Sequence, residues 1–500
     1  MTEKKKPQLF HLNYFVVLLC ILISLLFFGV MIYPNYAADS YTVATVGSSG
    51  DAATFIASGR IFSALFVKVV MQLGLSIANQ MRISYLIAIL STSATIYCTY
   101  IILKKLNIVS ESAWRDRLRA KIILLLLATP IAISPLYIEY YSFYERGIMS
   151  LGVFLAFAGS FLFDHYLISR DKKMLTLSIV AGLLSILCYQ GCYGAYLILN
   201  CFISLLRSKN TKQLIMNTML GGICYLVPAI LEFVLMKSFI RTTRASSGFN
   251  LIVGVKSTLP HLREIFSLWD IIPNNTIVVV FTVLLLIVAA NSIVTRKVKP
   301  FAHYVLSASY IFLVCLVAAL APSIAQSASH VGIAPRIVYP FGMVIGLWLV
   351  LAFRLCNILV LRKIVLVATT IFLCIECYKY NLAWIGRFQT NAIDYYKSSQ
   401  IQDKIDHYES KSGKRIKKIA FVAPNAPATP YPVSNPSGIN GSAFSYGWSD
   451  YSILNMYFDR HYKRVDASDN DIQYCLEHVK HIFTSDQIRF DGDKAVICSY

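Results

Sequence analysis

The chain has 500 residues, 56% of them hydrophobic and only 14% charged, with a mean hydropathy of +0.59. A soluble domain carries about 25% charge, so the composition excludes a soluble globular protein and points to one that threads a membrane many times. The net charge of +20 does not indicate a nucleic-acid binder, because the basic residues fall in short clusters between apolar runs, as membrane topology signals do.

The N-terminus, MTEKKKPQLFHLNYFVVLLCILISLLFFGVMIY, is a basic start followed by an apolar run over 12–33 with no small-residue cleavage site. It predicts an uncleaved first span. The next stretch, YPNYAADSYTVATVGSSGDAATFIASGR (33–60), holds two acids, Asp39 and Asp51, and one base, Arg60. A connector between helices needs far less chain, and Asp39 stands only a few residues past the span. Residues 59–79 are amphipathic and predict a helix lying on the outer surface rather than crossing.

Apolar runs at 81–103, 121–138 and 148–168 predict further spans. Between the last two lies SPLYIEYYSFYERGIMS (134–150), where Glu139, Glu145 and Arg146 stand among aromatics that include Tyr141. An interfacial aromatic belt accounts for the rings but not for the charges. Aromatic faces stack on sugar C–H surfaces and acids accept sugar hydroxyls, so this loop is read as a substrate contact. Segment 174–206 is too long for one span and short for two. CYQGCYG at its middle predicts a pair of short helices that enters and returns.

Runs at 214–238, 276–295, 302–321, 338–356 and 364–384 complete the spans. Isolated arginines lie between them: Arg241, Arg244 and Arg263 in 239–275, and Arg336 in APRIVYPFGMV, next to Tyr339 and flanked by Pro335 and Pro340. With Lys4–Lys6 in the cytoplasm, the clusters around Lys104, Arg170, Arg207, Arg296 and Arg362 all fall on the same side if 59–79 does not cross. The reading is a polytopic α-helical membrane protein with about eleven transmembrane helices. Its N-terminus is cytoplasmic, and its domains are 1–384 in the membrane and 385–500 outside.

The tail loses the long apolar runs. RIKKIAFV predicts a strand before a Pro-rich loop, SDYSILNMYFDRHY and NDIQYCLEHVKHIF predict helices, and KAVIC a last strand. This is a small extracytoplasmic α/β cap. His461, His478 and His481 show no metal spacing, and CIEC (Cys374, Cys377) lies in a span. Cys475 and Cys498 fall in the polar tail, either as a disulfide or as two free thiols.

One chemistry wants isolated arginines and acids at the outer headgroup level. A lipid-linked sugar phosphate presents an anion there, which guanidinium forks bind. A nearby carboxylate can deprotonate an acceptor hydroxyl, which attacks the anomeric carbon with inversion. Asp39 is the candidate base and Asp51 the alternative. Arg60, Glu139, Tyr141, Glu145, Arg146, Arg336 and Tyr339 are the candidate substrate-binding residues, and Arg241, Arg244 and Arg263 further phosphate candidates. No cofactor is indicated, and a divalent metal is left open.

Four stretches carry a family resemblance: the Asp39 loop ending in Gly59-Arg60, the aromatic–acid stretch SPLYIEYYSFYERGIMSLGVFLAFAGSFLF, the hairpin LSILCYQGCYGAYLIL, and the tail SDQIRFDGDKAVICSY. With them the chain resembles the Gtr type II glucosyltransferases, membrane enzymes of the GT-C class. The resemblance implies a polyprenyl-phosphate glucose donor, a cell-surface polysaccharide acceptor and a bacterial cell membrane. It also implies a companion synthase and flippase, Asp39 as base, and Arg60 and Arg336 as phosphate or loop-ordering partners. The family often has two adjacent acids in the first outer loop. Here Ser40 follows Asp39, which speaks against a paired-carboxylate metal site. A flippase for lipid-linked sugars and a polysaccharide polymerase or ligase are the rival readings.

Overall fold

The computed structural model describes residues 13–46, 48–109, 117–240, 252, 256, 259–324, 334–422, 433, 439–478 and 485–498. The first helix, α1 (Tyr14–Phe28), is an unbroken run of Leu, Ile, Val and Phe, capped by the Asn13 side chain and continued by a 3-10 turn over Gly29–Ile32. Leu18, Leu22 and Leu26 on it are exposed, as a helix facing lipid requires. Short helices α2 (Ala38–Val46), α3 (Ser48–Ala57) and α4 (Ile61–Gln72) follow. The 12 residues of α4 rise only about 18 Å, short of the roughly 30 Å hydrocarbon core. The amphipathic segment is thus not a span.

Long helices α5 (Ile77–Lys105), α6 (Arg117–Ala132) and α7 (Arg146–Ser169) come next. The run expected as one span at 121–138 is broken: α6 ends at Ala132 and a 3-10 turn takes over at Pro135–Ser142, bent by 64°. Pro135 has no N–H for the helix ladder, and it holds Ser134 extended at φ −92°, ψ 158°. The expected helix pair is α8 (Lys172–Cys188) and α9 (Gly194–Arg207), joined through Gln190–Cys192. Then come α10 (Thr211–Leu235), the short α11 (Leu262–Phe266), α12 (Thr276–Val294), α13 (Lys299–Ile324), α14 (Tyr339–Leu355) and α15 (Leu359–Ser412).

Among the described residues, six of these helices are long and apolar enough to cross a membrane, or seven if the bent pair is one span. The expected count of about eleven is not confirmed by helix length and composition. Helices α8, α9 and α14, with 17, 14 and 17 residues, are left out of that count by length alone, at or below the lower end of the roughly 17–25 residues of a spanning helix. The run at 364–384 is the first part of the 54-residue α15, which continues into the cap through residue 385 without a break.

The helices have two chemically distinct ends. At one, Arg207 grips Asp164 with both carboxylate oxygens at 2.8 and 3.0 Å, and Lys105 lies 4.0 Å from the Phe161 ring. Arg146, 18 residues before Asp164 on α7, marks the other end, about 27 Å away. That end carries the α2–α4 segment, the aromatic turn and the cap.

The cap is a four-stranded sheet in the order β2-β1-β4-β3, from β1 (Lys418–Val422), β2 (Lys463–Arg464), β3 (Ile488–Asp491) and β4 (Lys494–Cys498). β1 pairs in parallel with β2 and β4, and β3 with β4 antiparallel. Two helices, α16 (Asp450–Phe458) and α17 (Asp469–His478), stand at the expected places. Strand alternation sorts the two faces. Ile419 and Phe421 pack with Ile401, Ile405, Ile453 and Leu454, whereas Ala420 and Val422 pack with Cys475. Cys475 and Cys498 are disulfide-bonded, pinning α17 to β4. Tyr41 of α2 is buried in the first of these cap cores, so the helix that bears Asp39 is held by the cap.

Candidate active site

The chain leaves α1 through Tyr33 and Pro34 and is fastened before it turns into α2. The Tyr36 N–H donates to Asn391 Oδ1 at 2.8 Å, and Asn391 Nδ2 donates back to the Tyr36 carbonyl at 2.8 Å. Arg387 donates to the same carbonyl at 3.2 Å, and Arg146 reaches Asn35 Oδ1 at 3.4 Å. Ala37 N–H donates to Ser40 Oγ at 3.2 Å, closing the first turn of α2. Asp39 stands in that turn, where the helix dipole favours a carboxylate. Its side chain is exposed, and its Oδ1 accepts from the indole Nε1 of Trp448 at 3.0 Å. Further along α2, Thr42 donates to the Trp448 carbonyl at 2.9 Å and Thr45 to Ser452 Oγ at 3.1 Å.

Asp39 opens onto a cleft of about 200 Å³ whose wall includes Glu139, Arg336, Arg387, Tyr446 and Trp448. Membrane helices, aromatic turn and cap all contribute. Arg336 is paired with Glu139, which also accepts the Arg336 main-chain N–H at 2.6 Å, and its guanidinium lies 4.4 Å over the Phe143 ring. Burial works against the Arg336 charge, but the Glu139 carboxylate more than offsets it and raises the guanidinium above its ordinary range. Tyr446 and Trp448 rings sit 4.9 Å apart, an aromatic roof over the carboxylate.

Arg60 belongs to a neighbouring network. It bonds Glu145 at 2.9 Å and lies 4.7 Å over the Tyr189 ring. Burial pushes the Glu145 carboxyl above the usual range, against the pull of Arg60. Gln190 donates to the Ser58 carbonyl at 3.0 Å and to Glu232 at 3.3 Å. Gly59 has φ +79°, and a Cβ there would run into Gln190 and Glu232. Hence glycine precedes the arginine.

The structure therefore brings Asp39, Glu139 and Arg336 into one cleft, with Arg60 and Glu145 paired beside it. Tyr141 and Tyr339 are elsewhere. Tyr141 is fully buried, stacked on Phe28 at 3.8 Å with its hydroxyl on Thr92, and Tyr339 is fully buried against Tyr137 and Tyr140. Both are core residues, because the aromatic turn packs inward and does not lie on the membrane surface. Arg146, 1% exposed, is spent on Asn35 and the Phe143 carbonyl behind the cleft. Arg263 is exposed on α11 and does not line the cleft. Arg241 and Arg244 lie outside the described residues, as does the side chain of Asp51. Among the described residues no three His, Cys, Asp or Glu side chains converge on a metal site. His478 stacks on Tyr474, and His481 lies outside the described residues.

Sequence reasoning missed Arg387, Asn391, Tyr446 and Trp448. Arg387 had a usable signal: it is a lone arginine just past the end of the apolar run 364–384. Trp448 had a weaker one, an aromatic cluster with glycines, SYGWSDY, in a polar tail.

No curated protein and no solved structure matches the chain. Residues 28–353 match the family described as Glucosyl transferase GtrII. That stretch contains Asp39, Arg60, Glu139, Glu145 and Arg336, and ends before Arg387 and the aromatic roof. With most of its length matched and the acid–arginine cleft inside the matched part, the chain belongs to the GtrII glucosyl transferase family.

Proposed function

We propose that this glycosyltransferase is an inverting enzyme that moves glucose from a polyprenyl-phosphate donor onto a cell-surface polysaccharide, at the outer face of a bacterial cell membrane. The observation that carries the reading is the exposed Asp39 carboxylate sharing a cleft with Arg336 beneath the Tyr446–Trp448 roof. In the reaction Asp39 takes the proton of the acceptor hydroxyl. The acceptor oxygen forms its bond to the anomeric carbon while the bond from that carbon to the phosphate oxygen breaks. The electron pair leaves with the lipid phosphate, which gains one negative charge. Trp448 holds one Asp39 oxygen and orients the other toward the acceptor. The aromatic roof offers faces for a sugar ring, and Arg336 offers guanidinium donors to the phosphate. Arg60, held by Glu145 and Tyr189, orders the end of the loop.

Two features support the outer placement. The Cys475–Cys498 disulfide suits an oxidising compartment, and the basic clusters gather at the opposite ends of the helices. Residues 385–500 then form an outer cap over the membrane part. A synthase that charges the lipid and a flippase that delivers it are the partners this reading requires.

The test is transfer by purified protein in nanodiscs, with polyprenyl-phosphate glucose and a polysaccharide acceptor, comparing wild type and Asp39→Asn. The expected result is transfer reduced by roughly 10²–10⁴-fold with donor binding kept, the range of a lost general base. Unchanged transfer would remove Asp39 from the mechanism.

A further inference from the structure

The cleft and its surroundings hold several cations, and their partners differ. Arg60 is neutralised by Glu145 and Arg336 by Glu139. Arg387 is not neutralised in this way. It lines the cleft yet is only 2% exposed. Its two terminal nitrogens donate to carbonyls, of Tyr36 at 3.2 Å and of Ile439, and its Nε has no partner among the described residues. No described carboxylate lies within ion-pair distance of it. The acids that act on it from further off, Asp394 and Asp39, are bonded elsewhere: Asp394 to Ser442 at 2.6 Å and to the Ala443 N–H at 2.8 Å, Asp39 to Trp448. Arg146, 1% exposed and likewise without a carboxylate among its described partners, adds a second positive charge that acts on Arg387.

A buried charge without a counter-ion is costly, and a bound anion would supply the missing partner. The hold of Arg387 on Tyr36 does not call for a charge. Asn391, one turn further along α15, already ties both main-chain groups of Tyr36 with no charge at all. We infer that Arg387, backed by Arg146, is the residue that binds the phosphate of the lipid-linked donor, with Glu139-paired Arg336 in a supporting place. The inference rests on the lipid-phosphate reading above. It also gives Arg387 a catalytic part. The phosphate passes from one negative charge in the diester to two in the departing monoester, so a guanidinium bound to it gains most as the bond breaks. The residue lies beyond the stretch 28–353 that matches the family, on the helix that links membrane and cap.

The test measures binding of farnesyl phosphate and of farnesol to the full-length protein in detergent. The variants are Arg387→Gln, Arg387→Lys and Asn391→Ala, each checked by gel filtration and thermal unfolding. Wild type is expected to prefer the phosphate by about tenfold or more, the strength of charge-assisted hydrogen bonds. Arg387→Gln is expected to lose that preference and Arg387→Lys to keep part of it, since an ammonium lacks the planar fork. Asn391→Ala loosens the loop without changing charge and keeps the preference. If Arg387→Gln does not fold, Arg387→Lys decides by the same measure. A preference as large as wild type's in the Arg387 variants overturns this assignment and leaves the proposed function standing, whereas a smaller one supports the assignment. Absence of any preference in the wild type overturns both.

Discussion

Glu139 holds Arg336 twice: one carboxylate oxygen accepts the main-chain N–H at 2.6 Å and the other binds the guanidinium. The two residues are 197 apart in sequence. The grip joins the aromatic turn after α6 to the loop before α14, and so sets the shape of the cleft wall opposite Asp39. Tyr140 adds a third tie, its hydroxyl donating to the Arg336 carbonyl at 2.9 Å.

Glu139→Gln is expected to destabilise the protein by about 2–3 kcal/mol. This is below the 3–5 kcal/mol of a fully buried pair, because the Arg336 side chain is 26% exposed and partly screened. Transfer should fall with it, since the freed guanidinium no longer has a fixed place. Thermal unfolding in detergent checks the first effect. A variant melting like wild type would mean that the pair is not structural.

Gly59→Ala tests the turn that presents Arg60. At φ +79° a side chain is strained by roughly 1–3 kcal/mol, and here it also displaces Gln190 from Ser58 and Glu232. Lower stability and weaker transfer are expected together. Arg60→Lys should be milder in stability, because Lys keeps the charge facing Glu145. Equal melting temperatures for Gly59→Ala and wild type would refute the strained-turn account.

Two cap carboxylates give the cap a pH signature. Burial pushes Asp450 up to about 6 despite Arg464. Its folded form therefore binds more protons than the unfolded chain between about pH 4 and 6, and stability falls as pH rises through that window. Burial also opposes ionisation of Asp471, but hydrogen bonds from Lys494 and Ser468 hold its carboxyl down to about 2. The stability it contributes is present above about pH 4 and is lost as pH falls toward 2. Hydrogen exchange of the β1 and β4 amides should show maximal protection in a narrow range near pH 4. Asp450→Asn should remove the decline above this range, and Asp471→Asn should leave the cap weaker at neutral pH. A flat profile in the wild type would rule out both assignments.

Topology is checked by labelling intact cells with a membrane-impermeant maleimide. A cysteine replacing Thr42 beside the cleft should react from outside, and one replacing Lys209 at the basic end only after lysis. Cys475 and Cys498 should react only after reduction. Removing both should cost about 3 kcal/mol of cap stability, the usual value for so short a closed loop. Labelling of position 209 in intact cells would invert the proposed orientation.

The membrane class, the helix pair around CYQGCYG, the separate α4 helix and the cap's helices and two central strands were legible in the chain. They depend on hydrophobic period, length and turn residues, which are local properties. Asp39 was legible too, because an acid fixed just past an apolar run has a place relative to the membrane before it has any partner. The rest was decided by tertiary structure. An apolar run looks the same whether lipid or protein covers it, so the length of each helix and the break at Pro135 had to be seen before spans could be counted. An aromatic at a span end reads alike as interface, substrate face or core, and packing against Phe28 and Tyr137 put Tyr141 and Tyr339 in the core. A lone arginine at a boundary reads alike whether it snorkels, pairs or awaits a ligand. Only the fold could separate Arg60 and Arg336, each facing a carboxylate, from Arg387, which faces none among the described residues, because ionic attraction depends on distances between groups that the sequence holds far apart.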